Sequence, residues 1–150
     1  MFYISTRDTS ASPVKVTAAE AIKKGLAPDK GLYMPTSIPA LPEGEIERLA
    51  ALPYNKRAAD ILAMFLDDYN YDELLADCTE AYSEARFPGG AAPLVHVHDN
   101  IYSLELWHGP TCAFKDLALQ ILPYLLTTSA KKIDAGKIVI LVATSGLFIV

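Results

Sequence analysis

Leu104-Glu105-Leu106-Trp107-His108-Gly109-Pro110-Thr111-Cys112-Ala113-Phe114-Lys115-Asp116 is the stretch whose reading decides the fold. It follows an alternating segment, Ile101 to Leu106, and precedes a long apolar run from Leu117 to about Ala130. Gly109-Pro110 between them forbids both helix and ladder, so the expectation is strand, rigid loop, helix. The loop delivers Lys115 to the first helical turn beside the apolar Phe114. A lysine there meets the positive end of the peptide dipoles, and apolar flanks cost it hydration. Both effects favour the neutral amine, the form that attacks an aldehyde. The alternative is a surface lysine whose stem lies along the helix.

Working outward, Lys137-Ile138-Val139-Ile140-Leu141-Val142 is a continuous β-branched and apolar run, as expected of a parallel strand covered on both faces. Strand, helix and strand then make a βαβ unit with a right-handed crossover. Ligands in such sheets bind at the carboxyl ends of strands. The loop carrying Lys115 and the turn Ala143-Thr144-Ser145-Gly146 would therefore share one rim. There, backbone N–H groups of Thr144, Ser145 and Gly146 could meet a carboxylate or phosphate. His108, in the same loop as Lys115, could protonate a leaving group, bind phosphate or cap the loop. Trp107 is read as packing, and Asp116 as a helix cap or dipole partner rather than a base.

Upstream, Leu94-Val95-His96-Val97-His98 and Ile101 to Leu106 alternate around Asp99-Asn100, a hairpin signal. His96 and His98 lack an evident third ligand and read as strand residues, with no metal site expected. The first 85 or so residues read as a mainly helical layer. Phe2 to Ser5 is a short edge strand and Thr17-Ala18-Ala19-Glu20 a capping box opening a helix that stops at Gly25. Pro28, Pro35, Pro39 and Pro42 keep the next stretch in loop, with Gly31 to Met34 a short strand. A short helix at Glu45 to Leu49 is followed by amphipathic helices over Asn55 to Leu66 and after the cap Asn70.

The chain has 150 residues, 51% apolar, with a net charge of −5 and no basic cluster larger than a pair such as Lys131-Lys132. Disorder is excluded, and nucleic acid or an anionic membrane is a poor partner for such a charge balance. A phosphorylated small molecule stays open, because backbone amides bind phosphate without net positive charge. Cys78 and Cys112 form no CxxC pattern and fit reduced thiols of a cytoplasmic protein. The N-terminus has no signal-peptide pattern, and no apolar run reaches membrane-spanning length.

The lysine motif His108-Gly109-Pro110-Thr111 with Ala113-Phe114-Lys115-Asp116 resembles that of the threonine synthases, a family of fold-type II pyridoxal-phosphate enzymes. Ala143-Thr144-Ser145-Gly146 is similar to the start of that family's substrate loop. Tyr3-Ile4-Ser5-Thr6-Arg7, Gly25-Leu26-Ala27-Pro28 and Gly31-Leu32-Tyr33-Met34-Pro35 match in order. The resemblance spans residues 1 to 146. It implies an α/β protein: a helical N-terminal domain (1–90), then the start of a tryptophan synthase β-like catalytic domain (91–150). It further implies pyridoxal 5'-phosphate as cofactor and conversion of O-phospho-L-homoserine and water to L-threonine and phosphate. Lys115 would carry the cofactor with Phe114 beside it, and Thr144, Ser145, Gly146 and His108 would hold substrate.

After Gly146 the family pattern Asp-Thr-Gly is replaced by Leu147-Phe148-Ile149-Val150. The expectation is therefore a truncated form with impaired or no activity, whose exposed apolar surface, including Leu117 to Leu126, drives self-association. A non-catalytic interaction module derived from the family, or another fold-type II lyase such as a serine/threonine dehydratase relative, are the alternatives.

Overall fold

The computed structural model of the protein describes residues 1–134 and 136–140. Strand β1 (Tyr3–Ser5) pairs antiparallel with β2 (Tyr33–Pro35), with Ile4 opposite Met34. Between them lies helix α1 (Ala18–Lys24). Thr17 caps it as the spacing predicts: its hydroxyl accepts from the Glu20 N–H, and the Glu20 carboxylate accepts from the Thr17 N–H. Gly25 ends the helix at φ 69°, a left-handed conformation that favours glycine.

Three helices follow: α2 (Glu45–Ala50), α3 (Tyr54–Phe65) and α4 (Tyr71–Ala81). The Asn70 side chain caps α4 by accepting from the Glu73 N–H. The apolar stripes of α3 and α4 face each other. Ala59, Leu66, Leu74, Cys78 and Ala81 form one buried cluster with Ala18 of α1. Leu74 and Cys78 are 1% and 0% exposed, so the period-3.6 reading of these helices is met in the packing. Burial of a side chain such as Leu74 contributes about 2 kcal/mol.

The hairpin forms where the alternation places it: β3 (Leu94–His98) pairs antiparallel with β4 (Ile101–Leu104), with Leu94 opposite Leu104. A bulge between His96 and His98 accommodates the Asp99-Asn100 turn, with Asp99 at φ 47°. The strand stops at Leu104 rather than Leu106, although the Glu105 N–H still donates to the Pro93 carbonyl at 3.0 Å. No residue of β3 is buried, and Leu94, Val97, Ile101, Tyr102 and Leu104 are each more than half exposed.

The long helix expected from Leu117 is two helices, α5 (Asp116–Leu119) and α6 (Leu122–Lys132). Pro123 is the reason: it has no N–H to give the Leu119 carbonyl, and its ring crowds that carbonyl. At the second position of a new helix the missing donor costs nothing, so the chain restarts there. The apolar residues of this segment divide between core and surface. Ile121 and Leu125 enter the buried cluster formed by α1, α3 and α4, while Leu119 and Leu122 stay partly exposed.

The parallel strand expected over Lys137 to Val142 is not formed by the described part of it. Residues 137–140 pair with nothing among the described residues, and 141–142 lie outside them. A strand is defined by its neighbours, and both small sheets among the described residues are antiparallel. The described architecture is a helical layer with two antiparallel ribbons. Helix α6 shares the core of the first helices through Leu125.

Candidate functional site

The loop between β4 and α5 is built on one buried carboxylate. Asp116 is 0% exposed, and its oxygens accept from the Thr111 N–H at 2.8 Å and the Thr111 hydroxyl at 2.9 Å. The spacing predicts Asp116 as a cap of its own helix; instead it turns back and fastens the loop. Gly109 leaves the room for this: a Cβ at 109 would lie 2.4 Å from the Asp116 Cβ. The Cys112 N–H donates to the Gly109 carbonyl at 3.0 Å, and Cys112 itself takes a left-handed φ of 55° to turn the chain toward α5.

Lys115 directly precedes α5 and is exposed. Its Nζ lies 4.6 Å from the centroid of the Phe114 ring, which is 62% exposed itself. Among the described residues, that ring is the apolar neighbour the amine has. The amine has no carboxylate partner among them.

His108 is held at both ring nitrogens. Nδ1 lies 2.9 Å from the Pro88 carbonyl oxygen and Nε2 2.6 Å from Glu105 Oε2. The Glu105 carboxylate first, and the Pro88 carbonyl second, raise its pKa above the ordinary histidine value. Trp107, expected in the packing, is 51% exposed and stacks on His108 at a 6.0 Å centroid distance. Thr144, Ser145 and Gly146, the expected other half of the site, lie outside the described residues. His96 and His98 each hydrogen-bond Asp99, His96 also packs edge-on against Tyr102 at 5.1 Å, and among the described residues no group of three or more His, Cys, Asp or Glu side chains could hold a metal ion.

Contacts from the helical layer place this loop. The Tyr82 hydroxyl donates to the Leu117 carbonyl at 2.9 Å, and Arg86 donates to Gln120 Oε1 at 2.7 Å and to the Tyr124 hydroxyl at 3.1 Å. Tyr82 packs edge-on against Tyr54, and burial pushes its phenol pKa up. The Tyr82 stripe position was legible as apolar spacing; its hydrogen bond to a carbonyl 35 residues away was not. Among the described residues, no helix is long and apolar enough to cross a membrane.

A helical layer that carries a lysine loop on its far side is an architecture with solved counterparts. The crystal structure of threonine synthase from Brucella melitensis with pyridoxal phosphate bound superposes with a TM-score of 0.79 at 32% identity, over 89% of this chain and 28% of that one. Threonine synthase from yeast superposes at a TM-score of 0.77 and 30% identity, over 90% of this chain and 27% of that one.

Residues 2–82 match the family model described as the threonine synthase N terminus, and the chain belongs to the threonine synthase family. It is 37% identical to the threonine synthase of Corynebacterium glutamicum over 97% of its own length and 31% of that protein's. It is 41% identical to that of Haemophilus influenzae over 88% of its length and 29% of that protein's. The chain thus spans less than a third of these relatives.

Proposed function

We propose that this chain is the lysine-bearing portion of a pyridoxal-phosphate-dependent threonine synthase, in which Lys115 is the residue that holds the cofactor. One observation carries this reading: the amine of Lys115 projects, without a carboxylate partner among the described residues, from a loop fastened by a buried Asp116–Thr111 clasp. An amine that must condense with an aldehyde needs this combination of a fixed base and a free end. The residues present fit the group, since the Phe114 ring beside Lys115 offers a flat face to an aromatic cofactor.

Pyridoxal phosphate, when bound, supplies an electron sink for negative charge on a substrate carbon. The chain's own residues orient and move protons around it. Asp116 and Thr111 fix the height of the loop, Phe114 shields one side of the amine, and the Lys115 Nζ is the base that takes and returns protons at the substrate carbons. Thr144, Ser145 and Gly146 are proposed, on the resemblance alone, to hold the substrate carboxylate through their N–H groups and hydroxyls. The substrate of this reading is O-phospho-L-homoserine, the products are L-threonine and phosphate, and the setting is the cytoplasm. The division into a scaffold up to residue 90 and the start of a catalytic domain after it belongs to the same proposal.

A second reading is favoured by the β3–β4 hairpin, whose two faces both expose large apolar side chains. In it the 150 residues are a scaffold that associates with other copies and does not turn over.

Titration of the purified chain with pyridoxal phosphate separates the readings. The first expects an absorption band at the visible edge that Lys115→Ala abolishes, with borohydride fixing the cofactor on the peptide that contains residue 115. A band retained in the variant overturns the assignment of Lys115. Phosphate release from O-phospho-L-homoserine tests turnover, and its absence in a chain that still shows the Lys115-dependent band favours the scaffold.

A further inference from the structure

Both ring nitrogens of His108 face oxygens: the Pro88 carbonyl on one side and the Glu105 carboxylate on the other, at 2.9 and 2.6 Å. A carbonyl and an ionised carboxylate can only accept, so both contacts are hydrogen bonds at once only if both nitrogens carry protons. A neutral imidazole has one N–H and must surrender one of the two. We infer that His108 is a standing imidazolium that rivets the Pro88-Gly89-Gly90 turn to the lysine loop, and is thereby a positioning residue for Lys115 rather than a substrate ligand.

The surroundings support a cation at that place. Glu105 is three residues upstream on the segment leaving β4, with its side chain 21% exposed, and that of His108 is 22% exposed. From the Pro88–Gly90 side, the Gly89 N–H is taken by Glu84 Oε1 at 3.0 Å, which brings a second carboxylate toward the same turn. A Cβ at Gly89 would lie 3.5 Å from His108 Nδ1, so the turn and the ring are in direct contact. Trp107 stacks on the ring's face at an interplanar angle of 15°. No cationic side chain pairs with His108 or Glu105 among the described residues.

Gly109, the next residue, is the one that must stay side-chain-free against Asp116. The histidine rivet and the Asp116 clasp therefore grip the same loop from its two ends. The histidine pKa is raised in the fold, so this stabilisation is fully present below the unfolded-state value of about 6.5 and is lost as pH rises through the higher folded-state value. Alkaline pH would therefore release one of the two histidine contacts while leaving the Asp116 clasp closed.

The consequence for Lys115 rests on the proposed cofactor role, but the rivet itself is read on the 150-residue chain with no cofactor added, so each can fail alone. The chain is labelled uniformly with nitrogen-15, and the histidine ring nitrogens and the loop amides are followed by two-dimensional NMR as pH is raised, His108 being assigned by its loss in His108→Gln. The expected result is a pair of near-equal, protonated ring-nitrogen shifts above the ordinary histidine value, a midpoint lowered in Glu105→Gln, and Gly109 and Thr111 amide shifts that follow the same midpoint. Widely separated shifts of a neutral ring at and below the ordinary value would overturn the inference. So would a midpoint unmoved in a folded Glu105→Gln, or loop amides that do not follow it. Because the wild-type titration alone can sink the idea, it stays testable even if a variant does not fold.

Discussion

Gly109 and Asp116 stand so close that the glycine's missing side chain is the space the carboxyl group occupies, with Asp116 Cγ and Oδ2 within 2.8 Å of where a Cβ would be. The φ of Gly109 is not in the left-handed region, so the requirement is for room rather than for backbone freedom. Gly109→Ala should cost about 1–3 kcal/mol, the range for overpacking a filled site. Asp116→Ala leaves the Thr111 N–H without its partner and should cost a similar about 1–3 kcal/mol. The double variant should cost clearly less than the sum, because truncating Asp116 removes the obstacle that makes a methyl group at position 109 expensive. Urea melts of the three variants check this; strict additivity would mean the two residues do not share the space.

The two thiols differ by burial. Cys78 is 0% exposed in the helical core, and burial pushes its pKa up to about 11, whereas Cys112 is exposed on the lysine loop. An aromatic disulfide reagent near neutral pH should therefore modify one thiol per folded chain, mapped to Cys112, and two after denaturation. Rapid reaction of Cys78 in the folded chain would contradict the packing of α3 on α4.

Asp60 sets part of the acid response. Its carboxylate accepts from the Tyr71 hydroxyl at 2.5 Å and from Arg48 Nη2 at 2.6 Å, and the Tyr71 bond is the leading reason its pKa lies below the usual range. A depressed carboxylate contributes stability above its unfolded value of about 3.9, and that stability is lost as pH falls through the lower folded-state value. Tyr71→Phe should thus flatten the fall in stability between about pH 5 and pH 2, and Asp60→Asn should flatten it further. Urea midpoints across that range check the order; an unchanged slope in both variants would remove Asp60 from the account.

Much of this was legible in the sequence because it is local chemistry. Thr17 with Glu20, Asn70 with Glu73, and the Asp99-Asn100 turn between two alternating runs are signals spanning a few residues, and each formed where it was read. Apolar content alone extends one helix through 117–130, whereas Pro123, whose geometry is incompatible with the preceding turn, divides it. Lys115 is legible as a chemical candidate and equally as a surface lysine, and its exposure in the described structure agrees with the second of these, because what lies opposite the loop decides exposure and the spacing does not. The grip on His108 could be half read: Glu105 sits three positions upstream, while Pro88 is 20 residues away and becomes a partner only after the chain folds back. Asp116 was misassigned for a similar reason, because a residue at a helix start has two competing sets of donors and the spacing does not say which it takes.

The break at Pro123 also divides the molecule into units of different cohesion. α6 and the residue before it are held in the first helices by Ile121 and Leu125 and by the Tyr69 hydroxyl on the Leu125 carbonyl, while the single turn of α5 is tied to them by the Tyr82 hydroxyl on the Leu117 carbonyl. Amide hydrogens of α6 should therefore exchange with those of α4 as one slow cooperative block, and those of α5 on their own faster clock. One proline thus sets two exchange clocks side by side, with few bonds between the slow block and the loop that carries the lysine.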